Sequence, residues 1–317
     1  MALRSILYFP ANSVRNIVRA ATLPTDAVIF DLEDAVAPDD KETARIITRD
    51  CITLIKQRGI HTFVRVNSPT TGLTAKDLEY AVVPGLDGIV LPKAESESQV
   101  TQISRMLEKN EKRKGIAPKS IKIIALIETA KGVVNSFQIA SSNPRVIALA
   151  WGAGDYYRDL GRDITTVSEN KIELLYAQSR VVNTSRAAGI QAIDSPFFGS
   201  LTDKEAFTKE VKFAVQLGFK GKQCIHPSQI ETVNTFFSPT EEEITHARKI
   251  VKAFQHSRGA GVISFEGKMA DIMTYRQAEA VLETARSMDE TGSARKASFI
   301  SIAEIFSQSR KASKRSH

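Results

Sequence analysis

One event repeats along this chain and limits what it can fold into. A short run of apolar, strand-forming residues stops at a charged or polar side chain, and a stretch with helical spacing follows. Residues 5–9, 26–30, 61–67, 88–91, 121–127, 146–150, 191–193 and 219–225 have the strand pattern. Helical spacing occupies 14–21, 41–58, 74–83, 97–114, 133–140, 171–188, 203–217 and the stretch from Ser228 onward. Gly59 and Gly189 stand where helix stops are expected, and Ser96 with Gln99 has capping-box spacing. Most strand runs are continuous rather than alternating, as in parallel strands buried on both faces. Eight such units in about 235 residues, roughly 29 per unit, suit an α/β fold, a (β/α)8 TIM barrel. An open doubly wound sheet shares the alternation. It is the poorer fit, because the first βα turn lacks G-x-G-x-x-G and polar residues end nearly every strand, where a barrel gathers them at one rim.

After the eighth unit the pattern changes. A capped helix from Thr240 to His256, a hairpin over 259–271 and a helix over 275–288 are expected. The expected division is a barrel over 1–238, a C-terminal helical and hairpin extension over 239–290, and a polar basic tail over 291–317 that is partly disordered. The extension is too small to bury a core alone, so the barrel or a neighbouring subunit should cover it.

Composition removes alternatives. With 42% hydrophobic and 25% charged residues among 317, the chain has the balance of a soluble globular protein. No long apolar run offers a membrane span, and the N-terminus enters a strand pattern without the apolar region of a leader. Cys51 and Cys224 have neither zinc-ligand spacing nor the numbers of a disulfide scaffold. A cytoplasmic enzyme is the expectation. Arg310, Lys311, Lys314 and Arg315 supply a large part of the formal charge of +7, so the body is too weakly basic to imply nucleic acid.

The polar strand ends are the candidate chemistry. Ala125-Leu-Ile-Glu128 and Ala148-Leu-Ala-Trp-Gly-Ala-Gly-Asp155 each run from apolar residues to one carboxylate, which is costly to bury alone. Either the two carboxylates converge on a hard cation such as Mg²⁺, which takes one or two of them and leaves other positions to water and substrate, or each caps the helix that follows. The remaining ends are Glu33 and Asp34, Arg65, Lys93, Asp194 and His226. Arg65 offers a planar fork for a carboxylate or keto-acid oxygen, or an internal ion pair with Glu33 or Asp34; the two roles are compatible. Lys93 suits a bridge between acidic neighbours, and His226 either orients a loop or touches substrate. Trp151, Phe197 and Phe198 either pack or border a pocket.

Phe30-Asp-Leu-Glu-Asp-Ala-Val36, Val64-Arg-Val-Asn67, Leu91-Pro-Lys93, Ile127-Glu-Thr129, Gly152-Ala-Gly-Asp155 with Asp159-Leu-Gly161, Ala192-Ile-Asp194, and Gly218-Phe-Lys-Gly-Lys222 with Ile225-His-Pro227 occur in that order. Together they resemble the citrate lyase β-subunit family, which with malyl-CoA and citramalyl-CoA lyases belongs to the HpcH/HpaI aldolase superfamily. The resemblance runs from Arg4 to Arg286. It implies that Glu128 and Asp155 bind Mg²⁺, and that Arg65 binds the keto-acid end of a substrate that Glu128 also touches. Glu33 and Asp34 would stand beside Arg65 as catalytic groups. Asp271, in Glu266-Gly-Lys-Met-Ala-Asp271, would be an acid/base lent by a C-terminal segment that folds over an adjacent subunit's site.

The implied reaction is reversible Claisen-type cleavage of a short 3-hydroxyacyl-CoA thioester, such as a citramalyl, malyl or citryl ester, into acetyl-CoA and a 2-keto acid. A homo-oligomer, trimer or hexamer, goes with it. Alternatives are the β subunit of a citrate lyase complex acting on an acyl-carrier-protein thioester, a hydroxyacyl-CoA thioesterase using the same site, and a non-enzymatic scaffold on a retained barrel. The chain departs from the family pattern at Ala11, Gly154, Ser195, Glu266 and Ala270, and it lacks the proline that usually follows the last motif.

Overall fold

The eight apolar runs are parallel strands that pair in chain order, and the eighth returns to the first to close a barrel. In the computed structural model, which describes residues 2–168, 170–257 and 261–297, they are β1 (Ser5–Pro10), β2 (Ala27–Asp31), β3 (His61–Arg65), β4 (Gly88–Leu91), β5 (Lys122–Ile127), β6 (Val146–Trp151), β7 (Gln191–Asp194) and β8 (Gly221–Cys224). Closure pairs Ser5 with Lys222, Ile6 with Gln223 and Leu7 with Cys224. Gly221 permits it. A Cβ there would lie 1.9 Å from the carbonyl oxygen of Leu3.

Strand alternation separates two apolar sets. Leu7, Phe9, Val28, Phe30 and Val64 share a cluster with Ile17, Ile52 and Leu107 of the surrounding helices. Ile6, Ile29, Phe63, Ile124, Leu126 and Ala150 form a cluster free of helix residues, which is the barrel interior. Two residues further along the interior-facing set come Tyr8, Asp31, Arg65, Glu128 and Gly152. The pleat that fills the barrel with hydrocarbon therefore delivers the polar groups to its C-terminal mouth.

The helices follow the expected spacing with three differences. The capping box at Ser96 and Gln99 opens Glu97–Arg113. Residues 133–140 do not form one helix; the chain has Ala130–Val134 and Ser136–Ser141, joined at Asn135. A helix absent from the sequence reading, Ala153–Asp159, follows β6 directly and places Asp155 in its first turn. The third difference is C-terminal. After Glu241–His256, opened by a capping box at Thr240 and Glu243, come a hairpin of β9 (Val262–Phe265) and β10 (Lys268–Asp271) and one helix, Ile272–Ala297. Residues 291–297 of the expected tail are thus helical, while 258–260 of the expected hairpin and loop, and 298–317 of the tail, lie outside the described residues. This segment gathers its own small apolar cluster, Ala247, Ile250, Phe254, Ala270 and Ala278. No described helix is long and apolar enough to cross a membrane.

Candidate active site

Register explains the first contact of the site. Asp31 ends β2, Arg65 ends β3, and the two are direct partners in the ladder. The guanidinium meets the carboxylate on two prongs, Nε to Oδ1 at 2.8 Å and Nη2 to Oδ2 at 2.5 Å. Its third nitrogen, Nη1, lies 3.1 Å from Glu33 Oε2 and 4.0 Å from Asp34 Oδ2. The sequence reading offered Glu33 or Asp34 as the partner; Asp31, which it did not single out, holds the fork. Asp31 is buried and also accepts the backbone N–H groups of Glu33 and Ala35, so its lone pairs are well used. Burial works against the Arg65 charge, but these contacts outweigh it and hold the proton more firmly than usual.

Glu128 follows β5 and is 3% exposed. Its Oε1 accepts the backbone N–H of Lys93 at 2.8 Å. Lys93 adopts the left-handed conformation, φ +47°, which a residue with a Cβ enters only when its surroundings hold it there. In that conformation the backbone faces Glu128. The side chain crosses to the acidic groups, with Nζ 3.2 Å from Glu33 Oε1 and 3.8 Å from Asp155 Oδ2. Lys93 is thus the bridge the sequence suggested. Burial pushes the Glu128 carboxyl up to about 8, and the neighbouring charges of Asp155 and Glu33 add to the effect. Glu33 is raised in the same way, by burial first. Asp155 is additionally paired with the exposed Arg158.

Gly152 makes room for Glu128. A Cβ on Gly152 would lie 2.5 Å from Glu128 Cβ and 2.8 Å from its Oε2. Tyr8, Arg65, Glu128, Asp155 and Gln223 line a cavity of about 440 Å³, with Phe198 and Ile225 on its apolar side. Gln223 is fixed by donating to the carbonyls of Trp151 and Asp194.

Other candidates are turned elsewhere. Asp194 is buried against Lys222, 2.6 Å away, in a network that includes Glu210. His226 caps a short turn through the N–H of Ser228. Trp151 is core, its ring tilted against that of Tyr156 with centroids 4.8 Å apart, and Phe197 packs on Phe207. Asp271 caps the last helix, its Oδ1 accepting from the N–H and hydroxyl of Thr274 at 2.9 and 3.0 Å. None of its hydrogen bonds among the described residues reaches the barrel mouth.

The arrangement suits a hard cation. Two oxygen donors, Glu128 and Asp155, line the same cavity, and the charge of Asp155 adds to burial in raising the proton affinity of Glu128. Gly152 leaves the Glu128 carboxylate its place, since any larger residue there would collide with it. The described residues contain no group of three or more His, Cys, Asp or Glu ligands. A cation here would therefore rely on this pair and leave its other positions to water or substrate oxygens, which is the habit of Mg²⁺. Glu128 and Asp155 together with the charge of Arg65, whose Nη1 is not taken up by Asp31, make a place where an α-keto or α-hydroxy carboxylate can be held and its oxygens polarised.

Comparison with known proteins gives a consistent result. The family model described as HpcH/HpaI aldolase/citrate lyase matches residues 4–227. The chain is 36% identical over 286 residues to citrate lyase subunit beta of Haemophilus influenzae, covering 90% of this chain and 97% of that one. It is 29% identical over 301 residues to mitochondrial citramalyl-CoA lyase of Rattus norvegicus, covering 90% and 87%. Among solved structures, CitE of Mycobacterium tuberculosis, crystallised with magnesium, acetoacetate and coenzyme A, superimposes with a TM-score of 0.68 at 31% identity, covering 90% of this chain and 98% of the other.

Proposed function

The chain belongs to the HpcH/HpaI aldolase/citrate lyase family, and from that premise we propose how its own residues serve a Mg²⁺-dependent carbon–carbon lyase. The substrate is a short 3-hydroxyacyl-CoA thioester and the products are acetyl-CoA and a 2-keto acid, the reaction running in either direction. Relatives named citrate lyase subunit beta, citramalyl-CoA lyase and malyl-CoA lyase support this class, as do solved relatives holding magnesium with keto acids or coenzyme A.

One observation carries the reading to this chain: the Arg65 fork and the Glu128–Asp155 pair face the same cavity at the barrel mouth. Cleavage removes the proton of the 3-hydroxyl, breaks the adjacent carbon–carbon bond and leaves the electron pair on the acetyl thioester as an enolate, which then takes up a proton. Glu128 and Asp155 would hold the Mg²⁺, which supplies a Lewis acid for the developing keto-acid oxygens. Arg65 binds the carboxylate of the keto-acid half and is kept in plane by Asp31. Both Glu33 oxygens lie near cations, Arg65 and Lys93, so Glu33 orients that pair. Asp34 is exposed and lines the cavity, so it is available to meet substrate. Asp271 lies at the start of a C-terminal helix, and its acid/base role requires a neighbouring protomer in a homo-oligomer, trimer or hexamer, whose site it completes.

The test is a panel of citramalyl-, malyl- and citryl-CoA esters assayed with and without Mg²⁺, with products identified. Acetyl-CoA and a keto acid formed only with Mg²⁺ are expected. Release of the intact hydroxy acid with free CoA would make the protein a thioesterase instead. A second reading rests on the citrate lyase beta relatives: the thioester is carried on an acyl-carrier protein within a complex. Turnover of carrier-bound but not CoA-bound ester would favour it.

A further inference from the structure

Tyr8 lies inside the barrel, opposite Ile29 in the β1–β2 ladder. Its ring packs against the interior apolar cluster, and the Arg65 guanidinium covers it at 5.5 Å. Its hydroxyl is enclosed and has no hydrogen-bond partner among the described residues. An O–H buried without an acceptor is destabilising, and this one, unlike the unpartnered hydroxyls of Thr48, Ser136 and Ser185, belongs to a residue that lines the mouth cavity. The charged groups that face it are Arg65, Asp31, Glu128 and Glu33. Asp31 is committed to the Arg65 fork and to backbone N–H groups, and Glu128 directs Oε1 to Lys93. Burial holds the phenol proton far more tightly than usual, so the group remains a donor. Tyr8 lines the same cavity as Arg65, Glu128 and Gln223. The residue thus borders the cavity from which an acceptor would arrive, and its enclosed hydroxyl would be uncovered as the acceptor enters.

We infer that Tyr8 is a second substrate-binding group, whose O–H donates to a carboxylate or keto oxygen of the 2-keto-acid half held on Arg65. The inference rests on the lyase reading above and adds a residue to it. It assigns the hydroxyl to the keto-acid half because the ring lies under the guanidinium that takes that half. It also explains why an aromatic residue with a polar tip ends the interior stack where hydrocarbon alone would seal the floor.

Tyr8→Phe removes one oxygen and keeps the ring under Arg65. Three quantities are measured on the full chain with Mg²⁺: calorimetric affinity for pyruvate, glyoxylate and oxaloacetate; the KM values for keto acid and for acetyl-CoA in the condensation direction; and the melting temperature without ligand. The variant should bind the preferred keto acid about 5- to 20-fold more weakly and raise its KM alone. The acetyl-CoA KM should hold, and the ligand-free melting temperature should stay level or rise, because an unsatisfied group has gone. Unchanged keto-acid affinity, or a lowered melting temperature with equal loss for both substrates, would overturn the inference while leaving the lyase reading in place. A wild-type chain that binds no 2-keto acid and makes no carbon–carbon bond would remove both.

Discussion

Asp31 and Arg65 are opposite residues of β2 and β3, joined by two short hydrogen bonds in parallel. The carboxylate fixes the plane of the guanidinium and leaves Nη1 toward Glu33 and the cavity. Lysine keeps the charge but cannot make the fork. Arg65→Lys is therefore expected to lower kcat/KM for the hydroxyacyl thioester by at least about a hundredfold, close to the loss in Arg65→Ala. Steady-state kinetics on the three proteins decides it, and a lysine variant with near-normal activity would count against the Asp31–Arg65 fork as what holds the substrate-binding nitrogen in place. Asp31→Asn should lose less, since the amide still presents one acceptor.

How much of this was visible in the sequence depends on which physical signal each part leaves. The barrel was legible because both faces of its strands are buried, so each strand reads as an apolar run. Glu128 and Arg65 were legible as charged residues ending such runs. Asp31 was hidden in plain view, first of the acids in Asp31-Leu-Glu33-Asp34. Choosing among the three needed the register that sets it opposite Arg65. The helix Ala153–Asp159 escaped because Gly152 and Gly154 flatten its local propensity. Those glycines serve space rather than helix formation: a Cβ at 154 would meet the Phe198 ring at 3.1 Å. Tyr8 looked like strand filler. An enclosed hydroxyl without an acceptor, on a residue that lines the mouth cavity beneath Arg65, distinguishes it.

Gly152→Ala is expected to damage the site without touching a charged group. The added methyl would sit 2.5 Å from Glu128 Cβ and must push that side chain or the β6 end aside. Mg²⁺ affinity should fall about tenfold or more, read by calorimetry, while circular dichroism stays native. Normal Mg²⁺ binding in this variant would show that Glu128 need not remain where it lies.

Glu128→Ala and Asp155→Ala should each abolish Mg²⁺-dependent turnover, with kcat reduced about a thousandfold or more, and leave the fold intact. Stability should not suffer in the Glu128 variant, because a buried acid repelled by Asp155 and Glu33 has been removed. Undiminished kcat in either protein would remove the metal assignment.

Asp271 gives a test of subunit sharing. In its own chain it caps a helix through Thr274, so Asp271→Ala should lower the melting temperature only modestly. If it completes a neighbour's site, activity should be lost in Asp271→Ala and in Arg65→Ala separately. Mixing the two denatured chains and refolding them together should restore part of it. No recovery in mixed oligomers, with each variant folded, would place the acid/base group elsewhere.

The pH dependence of the metal-free protein follows from Glu128. Its carboxyl is pushed from 4.5 up to about 8 by burial and then by Asp155 and Glu33. Between those values the unfolded chain has released this proton while the folded chain retains it. The folded state then binds more protons, so stability falls as pH rises through that window. Below it both states are protonated and Glu128 contributes nothing; above it both are ionised and the full penalty remains. Melting temperatures in chelator should therefore decline from about pH 5 to about pH 8. Glu128→Gln should remove that part of the slope, because the amide does not titrate. Carboxylates held low by their partners, such as Asp87 and Glu111, act in the opposite sense and at lower pH, so the comparison of the two proteins isolates Glu128. Added Mg²⁺ should restore the wild-type melting temperature most at the alkaline end, where no proton competes for the carboxylate. Equal slopes in the two proteins would mean that Glu128 ionises freely, and the case for a buried carboxylate awaiting a cation would be lost.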